Sequence, residues 1–395
     1  MDDTGDRWDL VVVGAGPAGA SAALAALRRR PDARVLILDR ADFPRDKSCG
    51  DGIAPHALDV LGGLGLGDVT AGHRPVHRLH LGYPGGAGVT GTVRRPVHVI
   101  PRAVFDARIL AGALAAGAIF QRRTVRRVQP RPDRFVLDGE IPARVVIAAD
   151  GAESSVRRAL GLARNGPGHL AVAIRGYAPV RPDLAEEQTI VFGRGDWPAY
   201  AWSFPIGDGR ANVGYGEVLR PRRPLTRAHL LDRLHALLPG CAEGGARWRA
   251  HHLPLSSQRP RQPDGRILLA GDALSLINPM TGEGIFYAVL SGACAGDIAV
   301  GADVDRGDPG AAYRTRLRRQ LGRHLRHTAL TARLARTAWV VDAALAAAAR
   351  DEATFDSLVE LGLGKGLLTG RALIGTARAT LRPVRPEISA APDAR

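Results

Sequence analysis

Short apolar runs and one alanine-rich segment alternate at the start of the chain. Residues Asp9–Val13 form an apolar run that ends at Gly14, and Arg34–Leu38 is a second apolar run. Between them, Ala18–Arg30 has the alanine-rich composition of a helix. Apolar runs of this length beside turn residues are typical of buried strands. The order strand, glycine turn, helix, strand therefore predicts a βαβ unit.

The hydrophobic pattern changes further along the chain. Residues 79–98 and 171–216 contain short alternating segments, which predict antiparallel strands. Apolar runs at Val145–Ala149 and Ile267–Ala270 instead predict core strands like the first two. From Asp305 onwards the pattern is mostly helical. We therefore predict an α/β protein in which a Rossmann-type domain carries an inserted antiparallel β-sheet and is followed by a C-terminal helical region.

These changes of pattern also predict how the chain is divided. The predicted nucleotide-binding domain is discontinuous and comprises residues 1–70, 96–165 and 262–305. The inserted substrate domain comprises residues 71–95 and 166–261, and the helical region comprises residues 306–395.

The formal net charge of +15 first suggests a nucleic-acid partner, but its distribution argues against one. Lys47 and Lys365 are the lysines of the chain, so nearly all of the positive charge is arginine spread along the sequence. Aromatic residues make up 5% of the chain, and no basic motif is interleaved with aromatics as nucleic-acid binding requires. We expect no nucleic-acid partner, and we leave open attraction to anionic surfaces.

Cysteine content and hydropathy bear on where the protein acts. The chain has three cysteines, at Cys49, Cys241 and Cys294, and this small odd number favours a reducing compartment without structural disulfides. No apolar run approaches the ~18 residues of a transmembrane helix. We expect a cytoplasmic protein, with peripheral contact at the inner face of the membrane as an open alternative.

A glycine motif follows the first predicted strand. Gly14 permits a tight turn, Gly16 lets a pyrophosphate approach the backbone, and Gly19 allows the helix to pack closely on the strand. The N-terminus of the helix supplies N–H donors for phosphates. Asp39 follows at the end of the second strand, where it is placed to bind a ribose hydroxyl. The motif predicts a dinucleotide site.

Two later segments favour FAD over NAD as the dinucleotide. Asp150–Arg157 follows one predicted core strand and Gly271–Ala273 follows another, continuing to a glycine-rich helix start at Gly282–Ile285. An aspartate at a strand end can bind the ribityl chain, and the helix start can direct N–H groups at the flavin pyrimidine ring. In this order the segments predict FAD.

Three segments resemble the geranylgeranyl reductase family, particularly its actinobacterial branch that includes menaquinone side-chain reductases. They are Phe43–Gly52, Tyr200–Pro205 and Asn278–Ile285, and the resemblance covers roughly residues 8 to 300. The resemblance implies a glutathione-reductase-like FAD domain and the saturation of isoprenoid double bonds. It also implies flavin contacts at these positions: Ala18, Asp39, Cys49, Gly50, Arg102, Val125, Asp272, Gly284 and Ile285.

Candidate catalytic residues lie in the first two of these segments. Cys49 would be the flavin-proximal cysteine, as a proton donor or, in the interpretation we favour, as a residue that packs and shapes the substrate site. Tyr200 and Trp202 alternate along a predicted strand, so both rings lie on one face. That face is either an aromatic wall of the substrate pocket or part of the core. Glu283 is expected to cap a helix rather than to act in catalysis.

Histidines and the C-terminal arginines are given structural roles. His56, His73, His77 and the pair at 251–252 lack the spacing of metal ligands, so we predict no metal site. The Tyr313–Trp339 segment predicts a basic amphipathic helix. We favour packing of this helix on its own protein over contact with an anionic membrane.

The leading hypothesis is an FAD-dependent reductase of carbon–carbon double bonds in a hydrophobic, isoprenoid or prenylated substrate. The alternative is a monooxygenase (hydroxylase or epoxidase) or a dehydrogenase that tailors a natural product. Flavin halogenases need a lysine between the flavin and the substrate, and Lys47, the only lysine before Lys365, lies inside the presumed flavin loop, so halogenation is disfavoured. A protein that binds FAD without catalysis is also disfavoured. The sequence contains no second glycine-rich βαβ unit, so NAD(P)H, a ferredoxin or a quinol remain open as electron donor or electron-transfer partner.

Overall fold

The computed structural model describes residues 7–84, 88–193, 198–221, 225–302, 304 and 306–381. Within these residues the chain forms two β-sheets and ten α-helices. Parts of the predicted segments 1–70 and 306–395 lie outside the described residues. None of the described helices is both long enough and apolar enough to cross a membrane.

The first sheet has seven strands and contains the predicted βαβ unit. Its strands are β1 (Trp8–Val13), β2 (Val35–Asp39), β6 (Ile119–Arg122), β7 (Val128–Pro130), β8 (Phe135–Leu137), β9 (Ile141–Ala148) and β15 (Ile267–Leu269). Their order is β6-β2-β1-β9-β8-β7, and β15 also pairs with β9. Strands β6, β2, β1, β9 and β15 pair in parallel with one another, whereas β8 is antiparallel to β9 and to β7. The carboxyl ends of these parallel strands therefore meet at one edge of the sheet, where ligands of α/β proteins bind.

The second sheet has eight strands, in the order β14-β10-β13-β12-β11-β4-β5-β3. They are β3 (Gly52–Ile53), β4 (Pro75–Gly82), β5 (Gly88–Val99), β10 (Leu170–Pro179), β11 (Glu187–Phe192), β12 (Ala199–Pro205), β13 (Arg210–Val218) and β14 (Ala246–Pro254). The predicted antiparallel arrangement is confirmed for most pairs, but β4 and β11 are parallel. Parallel neighbours need a crossover connection, and here the chain passes through the first sheet between them. The predicted boundary at residues 95/96 falls inside β5, because this long strand continues to Val99.

The helices surround both sheets. They are α1 (Pro17–Arg29), α2 (Pro55–Gly63), α3 (Arg102–Ala115), α4 (Ser155–Ala159), α5 (Arg227–Leu237), α6 (Ile285–Ala299), α7 (Pro309–Leu334), α8 (Ala338–Arg350), α9 (Glu352–Leu363) and α10 (Gly370–Leu381). Helices α1 and α6 pack with their backbones in contact, which Gly292 and Gly296 permit. A Cβ atom at Gly292 would lie 2.0 Å from the carbonyl oxygen of Ala18, and one at Gly296 would lie 1.9 Å from that of Ala22.

The predicted helix over Tyr313–Trp339 is wrong in its extent. Helix α7 ends at Leu334, and α8 begins at Ala338. The break turns the chain so that Val341 and Leu345 of α8 pack against apolar side chains of β4 and β5. The prediction that this segment packs on its own protein is confirmed for the middle of α7, where side chains such as Leu321 and Leu325 are buried.

Candidate cofactor and substrate site

A cavity of about 1160 Å³ lies between the two sheets and the C-terminal helices. Its glycine-rich end is lined by these residues: Gly14, Gly16, Ala18, Asp39, Arg102, Val125, Asp150, Asp272, Gly284 and Ile285. Its helix-lined end is lined by these: Leu79, Leu81, Ile190, Phe192, Thr331, Ala335, Val340, Val341, Ala344, Leu345, Leu358 and Val359. Cys49, Gly50, Tyr200, Trp202 and Glu283 also line it. The volume exceeds the roughly 300–1,000 Å³ of a site for one drug-sized molecule, so the cavity can hold two ligand groups.

The backbone of the turn at Gly14 is packed as tightly as the motif predicts. Gly14 has a φ of +101°, and a Cβ atom there would lie 2.3 Å from the carbonyl oxygen of Ala149. A Cβ atom at Gly19 would lie 1.8 Å from the carbonyl oxygen of Gly14. Gly19 therefore packs beneath the turn, whereas Gly14 and Gly16 line the cavity. Asp39, at the end of β2, accepts a 2.8 Å hydrogen bond from the N–H of Ala15 and so fixes the turn.

Two arginines face this turn. A Cβ atom at Gly16 would lie 3.2 Å from a guanidinium nitrogen of Arg45 and 4.0 Å from one of Arg102. Arg102 forms a bidentate pair with Asp106 at 2.6 and 2.7 Å, and Arg45 lies 3.2 Å from the same carboxylate. Burial alone would lower the pKa of Arg102, but the adjacent Asp106 carboxylate raises it. The turn therefore faces permanent positive charge, as an anionic ligand requires.

Asp150 and Asp272 follow neighbouring strands, β9 and β15, at the same edge. One carboxylate oxygen of Asp150 accepts a 2.7 Å bond from the N–H of Ser155, and its other oxygen is buried without a partner among the described residues. Asp272 lies 3.2 Å from the ammonium group of Lys47. Burial would raise the pKa of Asp272, but Lys47 and the nearby His251 hold it below its usual value. Asp272 is therefore ionised at neutral pH.

Arg157 connects the two segments that favoured FAD in the sequence. It belongs to the Asp150–Arg157 segment, and its guanidinium donates a 2.8 Å bond to the hydroxyl of Ser275, just after Ala273. Ser155 of the same segment donates a 2.9 Å bond to the carbonyl oxygen of Val125. These contacts explain why widely separated segments line one end of the cavity.

The residues Phe43–Gly52, which we call the Cys49 loop, are held against the second sheet by side chains. The amide of Asn212 donates a 2.8 Å bond to the carbonyl oxygen of Cys49 and a 2.7 Å bond to the carboxylate of Asp51. The same carboxylate accepts a 2.6 Å bond from Tyr177. Burial raises the pKa of the Cys49 thiol, so the thiol is protonated at neutral pH.

A buried arginine clamps the start of this loop. Arg175 is fully buried in β10, forms an ion pair with Asp46 and donates a 2.8 Å bond to the carbonyl oxygen of Lys47. Because a buried guanidinium is costly unless its donors are paired, this contact favours a single position of the loop.

Tyr200 and Trp202 lie on the same face of β12, and their ring centroids are 5.9 Å apart. The Tyr200 hydroxyl donates to the carbonyl oxygen of Thr281, and the Trp202 indole donates a 2.9 Å bond to Asn212. The indole lies directly on Gly214, where a Cβ atom would be 2.2 Å from the ring. Both rings therefore line the cavity with their polar atoms bonded to the protein.

Glu283 precedes α6 and points a carboxylate oxygen at the first turn of that helix. It accepts a 2.8 Å bond from the N–H of Phe286, which confirms the predicted capping role. Burial raises the pKa of Glu283 to about 7 despite this bond and the bond from Ile285. The carboxyl group is therefore divided between its protonated and ionised forms at neutral pH, in the wall of the cavity.

The C-terminal helices are attached to the Asn278–Ile285 segment. The amide of Asn278 donates 3.1 Å bonds to the carbonyl oxygens of Leu361 and Gly362, and the Thr281 hydroxyl donates a 2.8 Å bond to Gly362. The end of α9 is thus fixed to the glycine-rich segment, which places the helix-lined end beside the glycine-rich end.

Sequence reasoning assigned no role to four residues that hold the site together: Asp51, Arg175, Asn212 and Asn278. A weak signal was present for one of them, because Arg175 is a charged residue inside the otherwise uncharged strand β10. Asp51 and Asn278 lie in segments that carry the family resemblance, but their contacts join residues distant in the sequence, which local pattern does not reveal.

The chain is similar to several known proteins. A family profile described as an FAD binding domain matches residues 7–192. Menaquinone reductase of Mycobacterium tuberculosis is 33% identical over 327 residues, which cover 76% of this chain and 78% of that protein. Digeranylgeranylglycerophospholipid reductase 2 of Methanopyrus kandleri is 32% identical over 324 residues, which cover 78% of this chain and 80% of that protein.

One solved structure matches nearly the whole fold. The geranylgeranyl bacteriochlorophyll reductase-like protein of Thermoplasma acidophilum is 22% identical, with a TM-score of 0.73 over 95% of this chain and 97% of that chain. At this identity the likeness concerns the fold alone, and it includes the C-terminal helices.

Proposed function

This chain belongs to the geranylgeranyl reductase family of FAD-dependent oxidoreductases, and we propose that it saturates carbon–carbon double bonds of a long isoprenoid or prenylated substrate. The observation that carries the proposal is that one cavity joins the charged, glycine-rich end to an aliphatic, helix-lined end. A polar dinucleotide and an apolar chain can therefore meet beside Cys49 and Tyr200. The names of the two relatives, a menaquinone reductase and a digeranylgeranylglycerophospholipid reductase, support the same class of substrate.

The glycine-rich end fits FAD. The turn at Gly14 and Gly16 leaves backbone and helix N-terminus open to a pyrophosphate, and Arg45 and Arg102 supply positive charge beside it. The unpartnered carboxylate oxygen of Asp150 is a further acceptor at this end. These are the features that a dianionic dinucleotide with ribose and ribityl hydroxyls requires.

We assign the remaining contacts by position. Asp39 would accept from the adenosine ribose, and Val125 would contact the adenine. Asp272 would bind the ribityl chain, while the N–H groups at Gly284 and Ile285 would face the flavin pyrimidine ring. Held by these residues in its reduced form, FAD would provide the hydride that one carbon of the substrate double bond needs.

The neighbouring carbon must gain a proton, so that the product contains two more hydrogens than the substrate. Glu283 is the group we assign to this proton, in addition to its capping bond and in place of the purely structural role expected from the sequence, because it lines the cavity and its pKa of about 7 leaves it partly protonated at neutral pH. The Cys49 thiol also stays protonated, but its raised pKa makes it a weaker acid than Glu283.

Cys49, Tyr200 and Trp202 then shape the site. The Tyr200 and Trp202 donors are bonded to Thr281 and Asn212, so neither group has a free proton to offer the substrate. Their rings form an apolar wall against which an alkene can be held. Asn212 holds Cys49 and Trp202 together, so wall and loop move as one unit.

The test is anaerobic turnover by the FAD-loaded protein with dithionite as reductant. Prenylated quinones and geranylgeranyl lipids are the substrates, and mass spectrometry of the products is the readout. A gain of two hydrogens is expected. Dithionite removes the need to know the natural electron donor, which the proposal leaves open.

A second reaction with NADPH and air tests the alternative. A gain of one oxygen, without any gain of two hydrogens under dithionite, would make the protein a monooxygenase and overturn the proposal. Glu283→Gln, which keeps the shape of the side chain, is expected to slow reduction at least tenfold without changing flavin uptake. Cys49→Ser, its matched control at the other candidate acid, is expected to change the rate less.

A further inference from the structure

Large apolar side chains are exposed where α7 ends and α8 begins. Leu330 is 49% exposed, Leu334 is 42% exposed, and Trp339 is 59% exposed. Leu330 and Leu334 are one turn apart on α7, and Trp339 follows at the start of α8. Scattered apolar residues are normal on a protein surface, but a cluster that includes a tryptophan indicates contact with another apolar phase.

Arginine dominates the charge near this cluster, with one exposed aspartate, Asp342, a turn after Trp339. Between Asp308 and Asp342 the sequence contains eight arginines and no aspartate or glutamate. Arg314 binds Asp264 and Arg316 lies 4.0 Å from Asp297. The other six are exposed and form no ion pair with any described residue: Arg318, Arg319, Arg323, Arg326, Arg333 and Arg336. The surface therefore presents apolar groups and unneutralised positive charge together.

Neighbouring residues of the same helix turns line the cavity. Thr331 and Ala335 face the helix-lined end beside exposed Leu330 and Leu334, and Val340 faces it beside Trp339. The exposed cluster and the apolar part of the cavity therefore share the same turns of α7 and α8.

We propose that Leu330, Leu334 and Trp339, with Arg333 and Arg336, form a docking surface for an anionic phospholipid bilayer. The apolar groups enter the interfacial region, where tryptophan is favoured, and the arginines contact lipid phosphates. Docking brings the helix-lined end next to the lipid phase. The proposed binding to the bilayer does not depend on the proposed function, whereas the use of that binding to receive an isoprenoid substrate from the bilayer rests on it.

Vesicle flotation of the FAD-loaded full chain tests the surface. We expect at least tenfold tighter binding to vesicles of equal parts phosphatidylglycerol and phosphatidylcholine than to phosphatidylcholine alone, with a loss at high salt. The double variant Leu334→Ser/Trp339→Ser is expected to weaken binding at least tenfold. The matched control is Leu114→Ser/Ile119→Ser, which changes two side chains 40% and 50% exposed elsewhere on the molecule and should bind like the unaltered protein.

Three results would overturn the proposal. The unaltered protein could fail to bind anionic vesicles, as expected if the surface docks an acidic protein instead. The two double variants could lose binding equally. Binding could also persist in both. Thermal melting and the flavin spectrum show whether each variant is folded.

Turnover separates this proposal from the proposed function. If only the docking proposal is wrong, detergent-dispersed substrate is still reduced but the expected binding to anionic vesicles is not observed. If the reductase assignment alone is wrong, the vesicle results hold although no substrate gains hydrogen. If both are correct, Leu334→Ser/Trp339→Ser slows reduction of vesicle-embedded substrate more than that of detergent-dispersed substrate.

Discussion

The two ends of the cavity differ in chemical character, because one is polar and charged and the other is aliphatic. The glycine-rich end depends on single atoms: the missing Cβ of Gly14, the guanidinium of Arg102 and the carboxylate of Asp272. The helix-lined end presents aliphatic side chains such as Val340 and Leu345. One end is specified by close approach and paired charge, and the other by apolar area and volume.

This difference predicts how each end responds to change. Hydrogen bonds and buried charges are directional, and an unpaired partner left behind is costly. Apolar contacts are non-directional, so a side chain of similar volume can replace another at little cost. We expect substitutions at the glycine-rich end to be severe and dependent on pH, and those at the helix-lined end to be graded by volume and independent of pH.

The largest effect is expected for Gly14→Ala. The new Cβ would lie 2.3 Å from the carbonyl oxygen of Ala149 at a φ of +101°, so the turn must deform. We expect the losses in folding stability and in FAD-binding free energy to add up to more than about 4 kcal/mol, as for other severe backbone clashes. Flavin absorbance after incubation with FAD and gel filtration measures it. The control is Gly62→Ala in α2, where a Cβ meets nothing within 4 Å; normal flavin uptake by Gly14→Ala would contradict the argument.

The next effect concerns a buried carboxyl group within the Cys49 loop, that of Asp51. Burial raises the pKa of Asp51 to about 6 from its usual 3.8, even though Tyr177 and Asn212 donate to the carboxylate. A raised carboxyl pKa favours the protonated form in the folded state. Its contribution to stability is therefore complete below pH 4 and is lost as the pH rises through 6.

Asp51→Asn should remove this loss. Asparagine can accept the same two bonds and tolerates the φ of 61° at this position. We expect the variant to be more stable than the unaltered protein by about 2–3 kcal/mol at pH 7 and by little at pH 4. Urea unfolding at the two pH values measures the difference. An equal difference at both values would show that Asp51 does not carry the pH dependence.

The same contrast explains what the sequence predicts. Strands β1, β2 and β9 and the turn at Gly14 follow from local pattern, because spacing and residue type alone determine a βαβ unit. The residues predicted at the glycine-rich end line one cavity apart from Gly19, since their motifs follow strands that meet at one edge of the sheet.

The rest depends on contacts between distant segments. The attachment of Asn278 to Gly362 and the bond from Asn212 to Asp51 join residues that no local pattern connects. The helix break at residues 335–337 was missed because both of its sides are helical and no glycine or proline marks the break. Aliphatic side chains look alike whether they fill a core or line a cavity, so the helix-lined end has no signature in the sequence.

A third change tests the volume of the helix-lined end. Ala344 lines it on α8, and Ala344→Phe would fill part of the space. We expect flavin uptake to be unchanged and the Kd for a long prenylated substrate to rise about tenfold, or roughly 1.4 kcal/mol. Substrate-induced quenching of flavin fluorescence measures this Kd. Ala344→Ser is the matched small substitution and should leave it near its original value. Weakened flavin binding by Ala344→Phe would show that the two ends are not independent.

The smallest effect is expected where volume is conserved. Leu345 packs against β4 and β5 and also lines the helix-lined end, so its surroundings are apolar. Leu345→Met keeps both volume and polarity, and we expect the free energy of unfolding to fall by about 1 kcal/mol or less. Because no charge is involved, the change should be the same at pH 4 and pH 7, unlike that of Asp51→Asn. Urea unfolding at both pH values makes this comparison directly. A loss that grows with pH would mean that buried charge reaches this end as well, and the division of the cavity into a charged and an apolar half would fail.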